Sequence, residues 1–487
     1  MSRHSEPLSG EDLGFWWGDQ PRQRTTMAML LLLDRRPHPA RLRAAVARAV
    51  AAVPRLGQRV VDAPLDIAKP RWEDDPTFDL DFHVRRYALA RADGRPGRAT
   101  LNDLFHAIGP IYERPFDRTR PLWELIEFDG PGDRAAIFFR LHHGVADGVG
   151  GNAILAALTD GSAEEAPEPL HGEGPPGAWQ EPSVAERLRD AVFHRIEEGL
   201  DRGRALLRMG WTAATQPSSW VRAARVAGAL IADASQRGDS PLREFGRSRH
   251  LRGFDVPFEP LRQAKSALDG QMIDLMLTAV AGAMGRWHRR QGFADATEVL
   301  TLVPINLRPW SEQGLGAVTG NRATGVMVKL PLGIDDPVAR FREVHARVCE
   351  RKASPALEVL PTLAEGLSLL PRPLVRALSL VGSQAVNLIV TNVPGIMFPR
   401  WIAGTRIVAG YPFAPLAPQC PVSIALYGYD GRLYVGIDAD GTAMPDVETF
   451  AEDLEQAFEE VIWASRGKAT TAESVPRVAA HMARSSR

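Results

Sequence analysis

Apolar residues recur along this chain with two periods, and each change of period marks an element. Met27–Leu33 is continuously apolar and reads as a buried strand. Ala40–Val53 repeats every three to four residues at Leu42, Val46, Val50 and Val53, which predicts a helix with one inward face. Asp79–Tyr87 alternates as a strand. Leu101–Arg114 has helical spacing, with a break expected near Gly109-Pro110. Pro121–Phe128 and Ala135–His143 are expected to pair as strands across Gly130–Asp133.

The second half repeats this mixture. Helices are expected over Gln271–Arg289 and Pro337–Arg351, and strands over Val299–Pro304 and Thr324–Leu330. Val386–Thr391 reads as a strand running into a turn at Asn392–Gly395. Val422–Tyr427 and Leu433–Ile437 flank Asp430-Gly431, a two-residue hairpin signal. A last helix starting at Pro445 carries Phe450, Leu454, Phe458 and Ile462 on one face. The class is therefore α/β (α+β), with mixed sheets flanked by helices.

Between the halves the pattern changes twice. Residues 161–183 are rich in Glu, Pro and Gly and read as a linker. From Val184 to about Gln236 the spacing is helical, through Leu188, Val192, Ile196, Leu200 and Leu207, with many arginines and with Trp211 and Trp220. It reads either as helices packed on the second domain or as an amphipathic surface that meets lipid. The expected division is 1–160, 161–240, 241–466 and a small polar tail, 467–487.

One stretch carries candidate chemistry. In Ala135–Gly151, a strand ends at His142 and His143 in a glycine-rich turn around Asp147, followed by a short apolar helix, Asn152–Leu158. A histidine at the end of a strand has a fixed position and an open approach, which a general base needs. Any single histidine here reads more readily as an ordinary partly buried residue. The whole pattern, His-His-x-x-x-Asp-Gly, is expected by chance in roughly one chain of this size in several hundred. A metal site is disfavoured, because neighbouring strand residues point to opposite faces and the glycines oppose a helical turn between His143 and Asp147.

Bulk properties set outer limits. At 487 residues the chain is long enough for two to four domains. Its net charge of −1 gives no pull toward nucleic acid. Two cysteines, Cys349 and Cys420, exclude a disulfide scaffold and fit a reducing cytoplasm. No secretory leader pattern opens the chain, and its apolar runs fall far short of the roughly 20 residues a membrane helix requires.

HHGVADG resembles the HHxxxDG signature of acyltransferases with a chloramphenicol-acetyltransferase-like fold. VPRLGQRVV, PRWEDDPTFDLDFHVRR and RPFDRTRPLWE, between Val53 and Glu124, resemble the N-terminal half of the bacterial wax ester synthase/acyl-CoA:diacylglycerol acyltransferase family. LVPINLRP, GNR, TNVPG and YDGRLYVGI resemble its C-terminal half, so the likeness runs from about Pro7 to Trp463. It implies two domains of related shape with an active-site tunnel between them. It further implies transfer of a long-chain acyl group from acyl-CoA, as co-substrate, to diacylglycerol or a fatty alcohol, with no cofactor and no metal. His143 would be the base. Asp147, with His142 and Gly148, would support the loop. The expected location is cytoplasmic, peripheral on a membrane or lipid droplet.

Two departures from the family pattern stand out. Where relatives pair Asn with Asp in the first long helix of the second domain, this chain has Ile273-Asp274, so Asp274 is kept and the amide is lost. Asn392 and Thr391 in TNVPG become the substitute oxyanion donors, against a plain turn role. Thr25-Thr26-Met27 stands where relatives usually show Met-His. Other readings are an HHxxxDG enzyme acting on another alcohol, a peptide-synthetase condensation domain, a glycerol-phosphate acyltransferase through His142 and Asp147, and a lipid-binding homologue with weakened catalysis.

Overall fold

The structure is a computed structural model. It describes residues 5–472 except 22, 65–67, 95–97, 133, 166–183, 216–217, 219–220, 222–224, 226–227, 229–239, 243–244, 307–322, 354–385 and 418–419. Most of the expected linker (166–183), the helical segment beyond residue 215 apart from isolated positions, Trp220, GNR and the tail from 473 lie outside the described residues.

Among the described residues the strands form two six-stranded sheets and a small three-stranded one. The first large sheet contains β2 (Thr26–Leu33), β5 (Val84–Tyr87), β6 (Trp123–Asp129) and β7 (Ala135–His142), with β12 (Trp401–Ile402) and β13 (Thr405–Phe413), in the order β12-β13-β2-β7-β6-β5. The second contains β8 (Arg249–Pro257), β9 (Glu298–Asn306), β10 (Ala323–Pro331), β11 (Leu388–Ile396), β14 (Val422–Tyr429) and β15 (Arg432–Asp440). The small sheet joins β1 (Glu6–Pro7), β4 (Arg71–Asp74) and β3 (Gln58–Val61).

The apolar runs become the middles of these sheets because a strand buried on both faces satisfies its backbone only through its neighbours. β7 is paired on both sides, Thr26 lying opposite His142 on β2 and Trp123 opposite Leu141 on β6. Within it Arg140 is fully buried, and its guanidinium donates to Glu124 Oε2 on β6 at 2.9 and 3.1 Å and to the Arg114 carbonyl at 2.6 Å. A buried charge needs that degree of pairing. The PLWE and HHxxxDG segments are thus tied together three residues before the candidate base.

One strand crosses between the two halves of the chain. β13 comes from the second half of the chain yet pairs antiparallel with β2, Phe413 opposite Ala28. Gly436 on β15 permits the crossing: a Cβ there would lie 1.7 Å from the Pro412 carbonyl oxygen. The first core accordingly includes Tyr411, Phe413, Tyr427 and Tyr434 beside Leu30, Phe138 and Leu141. The pattern of Thr405–Phe413 shows a strand but cannot name its partner sheet.

Three local expectations also change. Asp79–Tyr87 opens with a short helix, α3 (Leu80–His83), capped by Asp79 Oδ1 on the Asp81 N–H. Helix α4 (Leu101–Glu113) runs through Pro110 without a break, and Gly109 lets it approach the Arg249 carbonyl oxygen. TNVPG is part of strand β11, with an irregularity between Val393 and Ile396, rather than a turn. The hairpin at Asp430-Gly431 forms as expected, both residues with positive φ, 44° and 77°.

Candidate active site

β7 ends at His142, and the chain turns through His143–Val145 before helix α5 (Gly148–Leu158) begins. The two histidines part at this point. His142 is buried: the Gly144 N–H donates to its Nδ1 at 3.0 Å, and its Nε2 lies 2.8 Å from Thr25 Oγ1. Since Nδ1 accepts, Nε2 carries the proton and donates to the threonine. Burial pushes its pKa down to about 4, with His143 and Arg118 lowering it further and Asp19 opposing them. His142 is therefore a neutral strut.

His143 is half-buried. Its backbone N–H donates to the Thr25 carbonyl at 2.7 Å, and its ring stacks on Phe15 with centroids 4.1 Å apart and an interplanar angle of 19°. Phe15 belongs to helix α1 (Gly10–Gly18), whose N-cap is Ser9. The ring forms part of the wall of an apolar cavity of about 100 Å³ at the join of the two large sheets. Met27, Phe139 and Leu141 line it from the first sheet, and Thr391, Val393 and Ala425 from the second. Alternation explains that wall: Leu388 and Val390 of β11 turn into the second core while Thr391 and Val393 face the cavity.

Asp147 is buried and is the N-cap of α5, its Oδ1 accepting from the Gly150 N–H at 2.8 Å. It thereby sets the angle at which the helix leaves the strand. Gly148 also lines the cavity, and a Cβ there would come within 3.2 Å of Val393 Cγ2 on β11. Asn152, one turn on, donates its side-chain amide to the Pro394 carbonyl. The histidine loop and TNVPG are thus in direct contact.

The remaining candidates separate. Thr391 lines the cavity. Asn392 is exposed, because strand geometry turns it away from its neighbours at 391 and 393. Asp274, near the start of the helix Met272–Arg290 (α8), is fully buried, accepting from the Gln271 N–H at 2.8 Å and from His345 Nδ1 at 2.7 Å. Ile273 packs against the second core. Neither is among the residues lining the cavity. Among the described residues no group of three His, Cys, Asp or Glu side chains gathers as a metal site.

The sequence pattern did not single out Phe15 or Val393. An aromatic in an N-terminal helix gives no local sign that it will stack on a residue far along the chain. Thr25 and Met27, noted only as departures, prove to hold His142 and to line the cavity.

The comparisons with known proteins agree over most of the chain. A family model described as wax ester synthase/diacylglycerol acyltransferase catalytic domain matches residues 8–276, and one for the WS/DGAT C-terminal domain matches residues 319–461. Rv2484c of Mycobacterium tuberculosis (strain ATCC 25618 / H37Rv), whose name assigns it provisionally to the diacylglycerol O-acyltransferases, is 31% identical over 460 residues, 92% of this chain and 90% of its own. "Probable diacyglycerol O-acyltransferase tgs1" of the same strain is 30% identical, covering 86% of each chain. Among solved structures, the wax ester synthase/diacylglycerol acyltransferase of Marinobacter aquaeolei VT8 superposes with a TM-score of 0.61 at 18% identity, over 95% of this chain and 100% of that one. The first condensation domain of the calcium-dependent antibiotic synthetase gives a TM-score of 0.59 at 16% identity, over 98% and 100%. These two likenesses show the shared two-domain fold. The chain belongs to the wax ester synthase/diacylglycerol acyltransferase family and is an acyl-CoA-dependent O-acyltransferase.

Proposed function

We propose that the protein transfers a long-chain acyl group from acyl-CoA to a lipid hydroxyl, of diacylglycerol or of a fatty alcohol, with His143 as general base. The observation that carries this reading is the His143 ring at the wall of an apolar cavity between the sheets. His143 takes the hydroxyl proton as the oxygen attacks the thioester carbonyl. It returns that proton to the departing CoA sulfur, so no acyl-enzyme and no cofactor take part. The developing oxyanion is met by the Thr391 hydroxyl and by the positive end of α5, whose first turn also lines the cavity. Apolar walls favour alkyl chains over water near the reacting atoms.

Helix α6 (Val184–Thr215) supports contact with a lipid surface. Val192, Phe193, Ile196, Leu200, Leu207 and Trp211 are exposed along it, Leu207 at 76% and Trp211 at 73%. No helix among the described residues is long and apolar enough to cross a membrane.

The departure that favours a weakened homologue is the isoleucine at 273. That residue is partly buried against the second core and does not line the cavity, so the loss of an amide there removes no donor from the cavity wall. An acceptor panel tests the proposal. Purified protein is given labelled palmitoyl-CoA with hexadecanol, with dioleoylglycerol or with neither, and the lipids are separated by chromatography. Labelled wax ester or triacylglycerol is expected, and release of CoA without either ester would refute it.

A further inference from the structure

A second group of reactive side chains sits on the far side of the second sheet. His345 and Cys349 lie one turn apart on helix α9 (Pro337–Lys352), with Cys349 Sγ 3.5 Å from His345 Nε2. The other ring nitrogen, Nδ1, lies 2.7 Å from Asp274 Oδ2 on α8. A carboxylate oxygen only accepts, so Nδ1 carries the proton and Nε2 presents its lone pair to the thiol. Phe341 stacks on the imidazole with an interplanar angle of 6° and keeps it in that plane. Asp274 is fully buried, His345 is partly exposed and Cys349 is a free, exposed thiol. This is the order acid, imidazole, nucleophile that activates a thiol in general.

The surroundings select a class of partner. On the helix stripe that carries His345 and Cys349, Arg342 lies on one side and Lys352 on the other, both exposed. Lys352 lies one turn past the thiol, its ammonium donating to Gln271 Oε1, and Arg342 lies one turn before the imidazole, with Glu350 next to Cys349. Cations along this stripe can meet an anionic group, and the co-substrate of this enzyme is a thioester attached to the phosphates of CoA. Cys349 cannot serve the His143 cavity. The α8–α9 layer covers the face of the second sheet that holds Val390 and Ile424, whereas Thr391 and Ala425 face the cavity from the other side.

We propose that Cys349 is a self-acylation site, a nucleophilic thiol that takes an acyl group from acyl-CoA with His345 as its base and Asp274 as the residue that positions His345. Cys349 Sγ forms a bond to the thioester carbonyl carbon, and the bond from that carbon to the CoA sulfur breaks. The thiol proton passes to His345 Nε2 and from there to the CoA thiolate. One thioester and one thiol are consumed and one of each is formed, so no oxidant or reductant is needed. The product carries an acyl chain on the outer helix layer, away from the His143 cavity.

The test uses the full chain with palmitoyl-CoA and no acceptor alcohol, followed by intact mass and peptide mapping. The expected result is one palmitoyl adduct on Cys349, removed by neutral hydroxylamine, in the parent protein and equally in His143→Ala. Cys349→Ser should form none while still acylating hexadecanol at the parent rate, which separates this site from the principal reaction. His345→Gln, or His345→Asn should the first not fold, should form the adduct about a hundredfold more slowly, the low end of what a positioned base contributes. Absence of the adduct in parent protein whose denatured thiol count shows both cysteines free would overturn the proposal. So would an unchanged adduct rate in the His345 variant, or loss of the adduct in His143→Ala.

Discussion

Replacing His142 with glutamine separates the strut from the base, and its effect follows from the burial of one ring. His142 has a pKa of about 4 in the fold against about 6.5 when solvated, so the folded protein favours the neutral imidazole. For a depressed value of this kind the stabilisation is fully present above pH 6.5 and is lost as the pH falls toward 4, because the unfolded chain binds the proton first. At pH 5 the loss from this one group comes to about 2 kcal/mol, and by pH 4 to about 3 kcal/mol, from one pKa unit being worth about 1.36 kcal/mol. Glutamine keeps an acceptor for the Gly144 N–H and a donor for Thr25 but cannot titrate. Urea unfolding at pH 7.5 and pH 5 supplies the comparison. The parent should lose roughly 2 kcal/mol more than His142→Gln between those two conditions, with the variant keeping most of its turnover. Equal losses in both proteins would refute the assignment of His142 as a buried neutral strut.

Three further substitutions probe other parts of the structure. Asp438 is buried beside Tyr112 and Arg249, and burial raises its carboxyl to about 7. A raised acid favours folding below its solvated value of about 3.8, and that advantage is lost as the pH rises through 7. Asp438→Asn should therefore melt higher than the parent at pH 8.5, with a gain of at most about 4 kcal/mol, and close to it at pH 4. Ile273→Asn should bring no gain in turnover and a lower unfolding midpoint, since an amide placed against the second core costs about 1–3 kcal/mol; a faster enzyme would return that residue to the reaction. Thr391→Val removes the hydroxyl from the cavity wall at nearly constant volume and should lower turnover by about 10²–10³ if it meets the oxyanion, which steady-state kinetics with hexadecanol measures.

The periods of the sequence carried the elements well where each element's own burial decides its form. Met27–Leu33, Ala40–Val53 and the Asp430-Gly431 hairpin stand close to their expected places. Legibility failed where distant contacts decide. Nothing in Thr405–Phe413 says that it crosses to the first sheet, because its partner, β2, lies more than 370 residues earlier. TNVPG looks like a turn from its Asn, Pro and Gly, yet pairing with β14 holds it as a strand, and that strand sends Thr391 and Asn392 to opposite faces. Alternation predicts that His142 and His143 face apart; in the structure the strand ends at His142 and the turn at His143 separates their environments. Asp147 was legible as a loop former. That it caps α5 is visible only once the helix is seen to begin at Gly148.

The central claim is that His143 moves the proton in acyl transfer, and a rate comparison tests it most directly. Turnover of labelled palmitoyl-CoA with a saturating lipid alcohol is measured for the parent, His143→Ala and His142→Gln, each shown to be folded by its melting curve. The expected result is a loss of about 10²–10⁴ for His143→Ala, the usual contribution of a positioned acid–base group, with His142→Gln retaining most of the activity. Near-parental turnover in His143→Ala, or equal losses in the two variants, would contradict it.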